Sequence, residues 1–583
     1  MLASKKFTTK LLPTILALMA LLLVACGGGG GNTTPTPTAA AKAPESQQIY
    51  RWAVPNPDIP TFDPGQSTDE LSINAILLEY SGMVQLDDKL NVHGELASSW
   101  DVSTDGLTYT FHLKPNLQFS DGTPLTSADV AYSIDRALSP AISSLAGVSL
   151  TYLGLIKDAT ERTKGTVKSM INDSILTPDA NTVVLKLTKA TGYFLEALTY
   201  PTSFVVEKKV VDQWGLKFTD HLSDNGGQGG SGPFMVKSYD HTTGIKFVRN
   251  PHYFGPKPQL AEIDQIFYKT AKTSYEAYLA NQVDVTTIPS ANYQQAKTRP
   301  DFSKNPTLTI YYIAMNYLAK PFDNIHIRQA FELAINKDAL INAVWKGRFT
   351  PTCHIVPQGM PGYNASLTCP GGAPTAGDTA KAKALFQQGL TEEGYSSASQ
   401  LPPIKATYET GSPDLANEVT TIAGMWQQVL GVTIGTATMD FAPLLTAESA
   451  TTGKSPAQGG LQMWFAGWGA DYPDPQDWLT LQFGDNQPYN EFNYGNNNSS
   501  AAADQKANQQ AMDAADVMIN QDTARLAAYN QAEQKLVNDV AWLPLYQTPS
   551  IRLRKTYVRG INPNAISEIP PWDWQNIYIT AHS

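Results

Sequence analysis

Three aspartates recur at a spacing of three residues, at Asp471, Asp474 and Asp477. Grouped carboxylates could bind calcium, because Ca²⁺ is coordinated by several oxygen ligands arranged along one loop. Pro473 and Pro475, however, interrupt the alternation of ligands that such a loop requires. The spacing therefore predicts no metal site. We expect each of these aspartates to act as a single carboxylate.

Other motifs with chemical meaning are absent or stand in the wrong context. Residues 227–232 fit the G-x-G-x-x-G pattern of dinucleotide sites, but a strand-like segment follows them where a helix is required. The sequence has no Walker A loop, no G-x-S-x-G elbow and no H-E-x-x-H pair, and its eight histidines are scattered. We therefore expect no cofactor and no catalytic residue. A surface glycosidase or peptidase stays a remote alternative, since no particular carboxylate pair stands out.

The composition bounds the class of protein. The 583 residues carry a formal charge of −11, with 16% charged and 42% hydrophobic residues. These values exclude a disordered acidic chain, a coiled coil and a collagen-like fibre. A pI near 5.3 argues against a nucleic-acid partner, which requires a basic surface. We expect a large globular protein of several domains.

The first residues predict export. Lys5, Lys6 and Lys10 precede an apolar run, Leu11 to Val24, that is too short to span a membrane and typical of a signal peptide. The run ends in Leu-Val-Ala-Cys, which resembles a bacterial lipobox and implies lipid attachment at Cys26. We expect residues 1–25 to be the signal peptide and residues 26–44 a Gly/Thr/Pro-rich tether. The alternative is a secreted protein cleaved nearby, with an incidental cysteine.

The remaining cysteines, Cys353 and Cys369, stand 16 residues apart. In an exported protein they can form a disulfide, which would contribute roughly 3 kcal/mol in the loop-entropy model. Two free thiols are the alternative. In either case we expect a structural role.

The rest of the chain shows mixed α/β patterning. Strands are predicted at 48–54, in 105–119, at 182–188, at 244–249 and at 461–468, and helices at 71–79, from Thr126 or Ser127, and at 272–282, 327–345, 378–389, 414–430 and 504–538. Residues 493–499 are expected to form a polar loop, and residues 450–460 a turn.

Several segments in order resemble one family, the extracellular solute-binding proteins that deliver oligopeptides, dipeptides or nickel complexes to ABC importers. They are Thr61-Phe-Asp-Pro64, Gly94-Glu-Leu-Ala-Ser-Ser-Trp100, Asp105 to Leu113, Phe119 to Val130, Gly230-Ser-Gly-Pro-Phe234, Arg249 to Phe254, Pro321 to Lys337 and Gly467-Trp-Gly-Ala-Asp-Tyr-Pro-Asp-Pro475. The resemblance covers residues 48–583, and its ordered spacing is more specific than any single segment.

The resemblance implies an α/β periplasmic-binding-protein fold whose two lobes close about a hinge. Lobe I would comprise residues 45–83, 205–312 and 543–583, with residues 84–204 as an inserted subdomain, and lobe II would comprise residues 313–542. Crossovers near 312 and 543 would form the hinge. Most of the matching segments are then expected to serve the fold and not the ligand.

The resemblance also implies a ligand site at Asp471. In peptide-binding relatives the aspartate at this place binds the α-ammonium group of the ligand, through a charge-assisted bond. Backbone groups of Gly467, Trp468 and Gly469 would pair with an extended peptide as an added strand, and Trp468 and Tyr472 would line the first pocket. Trp464, at the alternate position of the strand, is expected in the core. The alternative is that Asp471 caps the Pro-Asp-Pro turn.

The sequence departs from enteric oligopeptide binders at two positions. Those proteins place an arginine two residues before the Gly-Trp pair and a cysteine after it, whereas this chain has Phe465 and Gly469. We therefore do not expect a carboxylate anchor at residue 465.

The resulting hypothesis is a monomeric lipoprotein at the outer face of the cell membrane. It would bind oligopeptides, leave them unaltered and deliver them to an ABC permease, with the lipid as its only membrane contact. An oligosaccharide or a nickel complex is the alternative ligand, since Trp464, Trp468, Trp478 and Tyr472 could stack on sugar rings.

Overall fold

The computed structural model describes residues 41–145, 148–487 and 489–582. The expected signal peptide, Cys26 and nearly all of the expected tether lie outside the described residues. None of the described helices is long and apolar enough to cross a membrane.

The strands follow the chain in this order: β1 Ile49–Val54, β2 Val84–Leu86, β3 Val92–Gly94, β4 Ala97–Val102, β5 Thr108–Leu113, β6 Ile175–Asp179, β7 Thr182–Lys186, β8 Phe234–Asp240, β9 Gly244–Arg249, β10 Glu262–Phe267, β11 Val285–Thr287, β12 Phe302–Met315, β13 Thr350–Pro351, β14 Ile404–Glu409, β15 Ile434–Met439, β16 Met463–Gly469, β17 Leu543–Arg554, β18 Val558–Arg559 and β19 Tyr578–Ile579.

The α-helices are α1 Glu70–Glu79, α2 Ser127–Ala137, α3 Pro140–Ser143, α4 Ser149–Leu153, α5 Ala159–Thr163, α6 Phe194–Ala197, α7 Lys208–Trp214, α8 Ala271–Leu279, α9 Tyr293–Ala296, α10 Ile325–Leu333, α11 Lys337–Ala343, α12 Thr379–Glu392, α13 Pro413–Leu430, α14 Phe441–Ser449, α15 Thr480–Phe483, α16 Ala502–Asp516 and α17 Asp522–Asp539.

One large mixed sheet runs through the molecule in the order β15-β14-β16-β12-β17-β11-β1-β10-β9-β8, with β13 beside β17. The long antiparallel strands β12 and β17 stand at its centre, and their register shifts between Pro306 and Ile310. They therefore connect the strands of the N-terminal part to β14, β15 and β16. The crossover expected near 312 lies within β12, and the one near 543 lies at the start of β17.

Separate hydrophobic cores lie on either side of this connection. One includes Ile76, Phe234 and Trp574; a second includes Phe331, Trp426 and Leu543. A third core packs under the four-stranded sheet β4-β5-β7-β6, within residues 83–205. Burial of these apolar side chains is the main stabilising contribution to the fold.

Local sequence signals explain several helix boundaries. Thr126 and Asp129 form the capping box that begins α2, and Ser412, Pro413 and Gly431 bound α13 as N-cap, first residue and C-cap.

Two of the predicted helices are wrong as single elements. The segment 327–345 forms α10 and α11, because the Asn336 side chain caps a new helix by accepting a bond from Ala339 N. The segment 504–538 is divided into α16 and α17 at residues 517–521, where Asn520 has a φ of 56°. In each break an asparagine takes a conformation that ends or begins a helix.

The disulfide between Cys353 and Cys369 is present, as predicted. Both cysteines are buried, and the Lys337 ammonium donates to Cys353 Sγ at 3.4 Å. The bridge closes the loop that carries His354 and Tyr363.

Candidate functional site

Strand β16 leads to Asp471, and one of its edges is unpaired over most of its length. Its entire length pairs with β12, from Met463 opposite Met315 to Gly469 opposite Thr309. On its other side β14 pairs only with Met463 and Trp464. Gly467 and Gly469 are exposed, so the backbone of this segment is accessible to an added strand.

Asp471 lies against residues that are distant in the sequence. Its Oδ2 accepts a hydrogen bond of 2.5 Å from the Tyr152 hydroxyl on α4, and its backbone N–H donates to Asp477 Oδ2 at 3.2 Å. Burial raises the pKa of Asp471 to about 7, although the Tyr152 hydrogen bond acts in the opposite direction. The carboxylate is therefore in a site that disfavours its charged form unless a cation is supplied.

The Pro-Asp-Pro turn is capped by a different aspartate. Asp474 Oδ1 accepts from Gln476 N at 2.9 Å, and both Asp474 oxygens pair with the Arg525 guanidinium at 3.0 and 2.6 Å. The structure thus assigns the capping role to Asp474 and leaves the Asp471 carboxylate to Tyr152.

Asp477 holds Trp468 and Asp471 together through hydrogen bonds. Its Oδ2 accepts both Trp468 Nε1, at 3.3 Å, and the Asp471 N–H. Burial raises the pKa of Asp477 well above its usual range, and the nearby charge of Asp471 raises it further. Among the described residues no group of three potential ligands is placed to hold a metal ion.

Aromatic rings surround Asp471. Tyr152 stacks on Tyr200 at 3.7 Å between ring centroids, and Trp468 meets Tyr489 edge to face at 4.9 Å. Tyr472 is fully buried against Tyr193, with centroids 6.0 Å apart, so it supports the wall of the site behind the accessible surface. Trp468 is half-buried.

Three neighbouring side chains occupy the core. Trp464 is fully buried, as expected, and so is Trp478. Phe465 packs in the core that contains Phe331 and Trp426, so residue 465 offers no polar group to a ligand.

A second carboxylate, Glu568, lies near Asp471 and was not predicted from the sequence. Leu308 of β12 connects the two regions, because its carbonyl accepts from Ala470 N at 2.8 Å and its N–H donates to Ala565 O at 2.9 Å. Burial raises the pKa of Glu568 to about 8, and the Asp471 charge adds to this shift. Within the described residues neither carboxylate forms an ion pair. The only signal in the sequence is an acidic residue in a Pro/Asn-rich loop, which is too common to identify a site.

Long central strands join the two parts of the sheet, and an exposed strand edge and the carboxylates Asp471 and Glu568 lie near this junction. Residues 91–490 match the model of the bacterial extracellular solute-binding proteins, family 5 Middle. The chain belongs to this family of solute-binding proteins of ABC importers, which are not enzymes. The expectation of an α/β, two-lobed fold with a hinge and an inserted subdomain is confirmed.

Individual relatives agree with this assignment. The chain is 25% identical to the oligopeptide-binding protein OppA of Bacillus subtilis over 452 residues, 75% of this chain and 77% of that protein. It is 28% identical to the periplasmic oligopeptide-binding protein OppA of Escherichia coli over 499 residues, 84% of each chain. The fold is similar to that of the Escherichia coli murein tripeptide binding protein MppA, with a TM-score of 0.74 and 24% identity, covering 92% of this chain and 99% of that one.

Proposed function

We propose that this protein is a monomeric lipoprotein receptor that captures oligopeptides outside the cytoplasm and delivers them to an ABC import permease. Cys26 would carry the lipid, and the peptide would bind between lobe I (residues 45–83, 205–312 and 543–583, with insert 84–204) and lobe II (313–542). The two OppA relatives, both oligopeptide-binding proteins, support the choice of ligand.

The observation that carries this proposal is the unpaired carboxylate of Asp471. A buried carboxylate without a counter-ion is unfavourable, and the ammonium group of a peptide would supply that counter-ion. Loss of one member of such a charge pair costs roughly 2–5 kcal/mol of binding free energy. The site therefore favours a ligand with a free amino terminus.

The free edge of β16 supports an extended ligand. Backbone N–H and C=O groups of a peptide lose water on binding and need replacement partners. The segment from Phe465 to Gly469 offers such partners without selecting particular side chains. Gly467 and Gly469 in this segment are exposed.

A sugar ligand is less well supported. Of the three tryptophans that could stack on sugar rings, Trp464 and Trp478 are fully buried, and only Trp468 is partly exposed. The carboxylates Asp471 and Glu568 also favour a cation over a neutral ring.

Isothermal titration calorimetry with tetra-alanine and its N-acetylated form tests the proposal. We expect the wild-type protein to bind the free peptide at least tenfold more tightly, and Asp471→Asn to lose this preference. Asp504→Asn, an exposed aspartate on α16, is the matched control and should retain it. Equal affinity for the free and acetylated peptides in the wild-type protein would contradict the proposal.

A further inference from the structure

Two buried glutamates, Glu448 and Glu491, lie close to the free edge of β16 and have no part in the proposed peptide anchor. Glu448 is in the last turn of α14 and is 7% exposed. Glu491 is 8% exposed and comes two residues after Tyr489, whose ring packs on Trp468. Glutamate is almost never buried to this degree unless it is paired. The two side chains therefore need a partner.

Helix α14 flanks the place where β14 leaves β16. The helix packs against β14, and β14 pairs with β16 only at Met463 and Trp464. Beyond Trp464 an added peptide strand would take the place of β14 beside β16. The side chains of such a strand alternate between the two faces of the sheet, so every second one points to the same face.

The sheet register places the two glutamates on one of these faces. Tyr312 of β12 pairs with Ala466 of β16. Burial raises the pKa of the Tyr312 hydroxyl well above its usual range, and the charges of Glu448 and Glu491 raise it further. Ala466 and Trp468, at alternate positions of β16, are half-buried. The two carboxylates are therefore within electrostatic reach of a face of β16 that is partly open to solvent.

Hydrogen bonds from Asn493 and Ser449 hold the two segments together. The Asn493 side-chain amide donates to Thr451 O at 3.2 Å, and its Oδ1 accepts from Gly453 N at 2.6 Å. The Ser449 hydroxyl donates to Glu491 Oε1 at 3.0 Å. The end of α14 is thus fixed against the segment that carries Glu491, and a ligand would meet a site that is already formed.

The described residues supply no cation to this pair. Within that part of the chain neither carboxylate forms an ion pair, and the Glu448 carboxylate accepts no hydrogen bond. Burial raises the pKa of Glu448 to about 9, and the Glu491 charge adds to this shift. Burial also raises the pKa of Glu491 to about 8, although the Ser449 hydrogen bond acts in the opposite direction. A cation bound between the two carboxylates would stabilise their charged forms.

We propose that Glu448 and Glu491 form a subsite for a basic side chain, lysine or arginine, of the bound peptide. This inference rests on the proposed function, because the peptide must lie along β16 for one of its side chains to reach the glutamates. The aliphatic part of that side chain would pack on Ala466 and Trp468, and its charged end would reach the carboxylates. The ligands are then peptides with a cationic residue at one position.

Calorimetry with two series of peptides tests this subsite. One series moves a single lysine through the four positions of tetra-alanine, and the other has norleucine, an uncharged side chain of similar length, in place of the lysine. At one position we expect the wild-type protein to bind the lysine peptide about tenfold to a hundredfold more tightly, the range for hydrogen bonds to a charged group. The adjacent positions should show no such preference, since their side chains point to the other face.

Glu448→Gln and Glu491→Gln each remove one charge with little change in shape. Both variants should lose most of the lysine preference and still bind the norleucine peptide as the wild type does, which shows that the rest of the site is intact. Glu161→Gln, at an exposed glutamate on α5, is the matched control and should keep the full preference.

Equal affinity for the lysine and norleucine peptides at every position would overturn the subsite, and so would a preference that both glutamine variants retain. A preference of the same size at all four positions would also overturn it, because that would come from the net charge of −11 of the whole chain. If tetra-alanine still binds more tightly than its acetylated form, only the subsite fails. If that difference is absent too, the proposed function itself fails.

Discussion

Asp471 is a carboxylate whose surroundings favour its neutral form until a cation arrives. Burial raises its pKa to about 7, and the neighbouring Glu568 has a pKa raised to about 8. An ammonium ligand can pair only with the ionised carboxylate. Binding below these pKa values must therefore release protons.

We expect peptide affinity to rise with pH from 5 to about 7.5. Each pH unit below the Asp471 pKa should weaken binding by up to tenfold, because a proton must leave first. Above about pH 8 affinity should fall again, as the peptide α-amino group loses its charge. Calorimetry in buffers of different ionisation enthalpy measures both the affinity and the proton release. Asp471→Asn should lack the acid limb, and a flat wild-type profile between pH 5 and 7 would contradict the assignment.

The same carboxylate should lower the stability of the ligand-free protein. Because its pKa is raised on folding, its contribution to stability is present at low pH and is lost as pH rises through about 7. Asp471→Asn cannot ionise, so we expect its stability relative to the wild type to be higher at pH 8.5 than at pH 5 by about 2–3 kcal/mol. Urea denaturation at the two pH values measures the difference. The same relative stability at both pH values would disprove this electrostatic penalty.

Sequence reasoning identified only part of this site. Asp471, Gly467, Trp468 and Gly469 lie within one short motif, so their proximity follows from the chain itself. Tyr152 lies 319 residues from Asp471, and the loop of Glu568 is connected to Ala470 through the backbone bonds of Leu308. Such partners depend on how distant segments pack, and no local pattern encodes that packing.

At the scale of elements, helix and strand positions followed local signals well. Amphipathic periodicity predicted α13, and the capping residues Thr126 and Asp129 predicted the start of α2. The breaks after α10 and α16 were missed, although Asn336 and Asn520 stand at them, because apolar periodicity continues across both breaks and outweighs one asparagine.

The Cys353–Cys369 bridge is a covalent constraint on the loop between these two residues. We expect Cys353→Ala with Cys369→Ala to lower the free energy of unfolding by roughly 3 kcal/mol, since the loop gains conformational freedom when unfolded. Alanine avoids burying an unpaired hydroxyl at these sites. Guanidinium denaturation measures the loss, and wild-type protein treated with dithiothreitol is the matched control. Equal midpoints for oxidised protein and the double variant would contradict a stabilising role.

At the scale of the whole molecule, the segment that carries Tyr152 and Tyr193 contacts the segment around Asp471. Tyr152 bonds to Asp471, Tyr193 stacks on Tyr472, and the Gly192 N–H donates to Asp516 O at 3.3 Å. In the proposed function, closure of the lobes would therefore involve the residues around Asp471. Such coupling between closure and binding is the expected basis of a population shift on binding.

Removing the Tyr193 ring should shift the protein toward an open state. Tyr193→Ala deletes a stacked aromatic pair, worth about 0.5–1.5 kcal/mol beyond burial, without touching Asp471. We expect the ligand-free variant to have a larger radius of gyration by small-angle X-ray scattering than the wild type, for which a compact chain of this size predicts roughly 24 Å. Saturating tetra-alanine should restore the radius of gyration of the wild type. The variant should bind the peptide with a weaker apparent affinity, because part of the binding free energy drives closure. Tyr578→Ala, a half-buried tyrosine on β19, is the control and should match the wild type. An unchanged radius and unchanged affinity in Tyr193→Ala would show that this contact does not hold the lobes together.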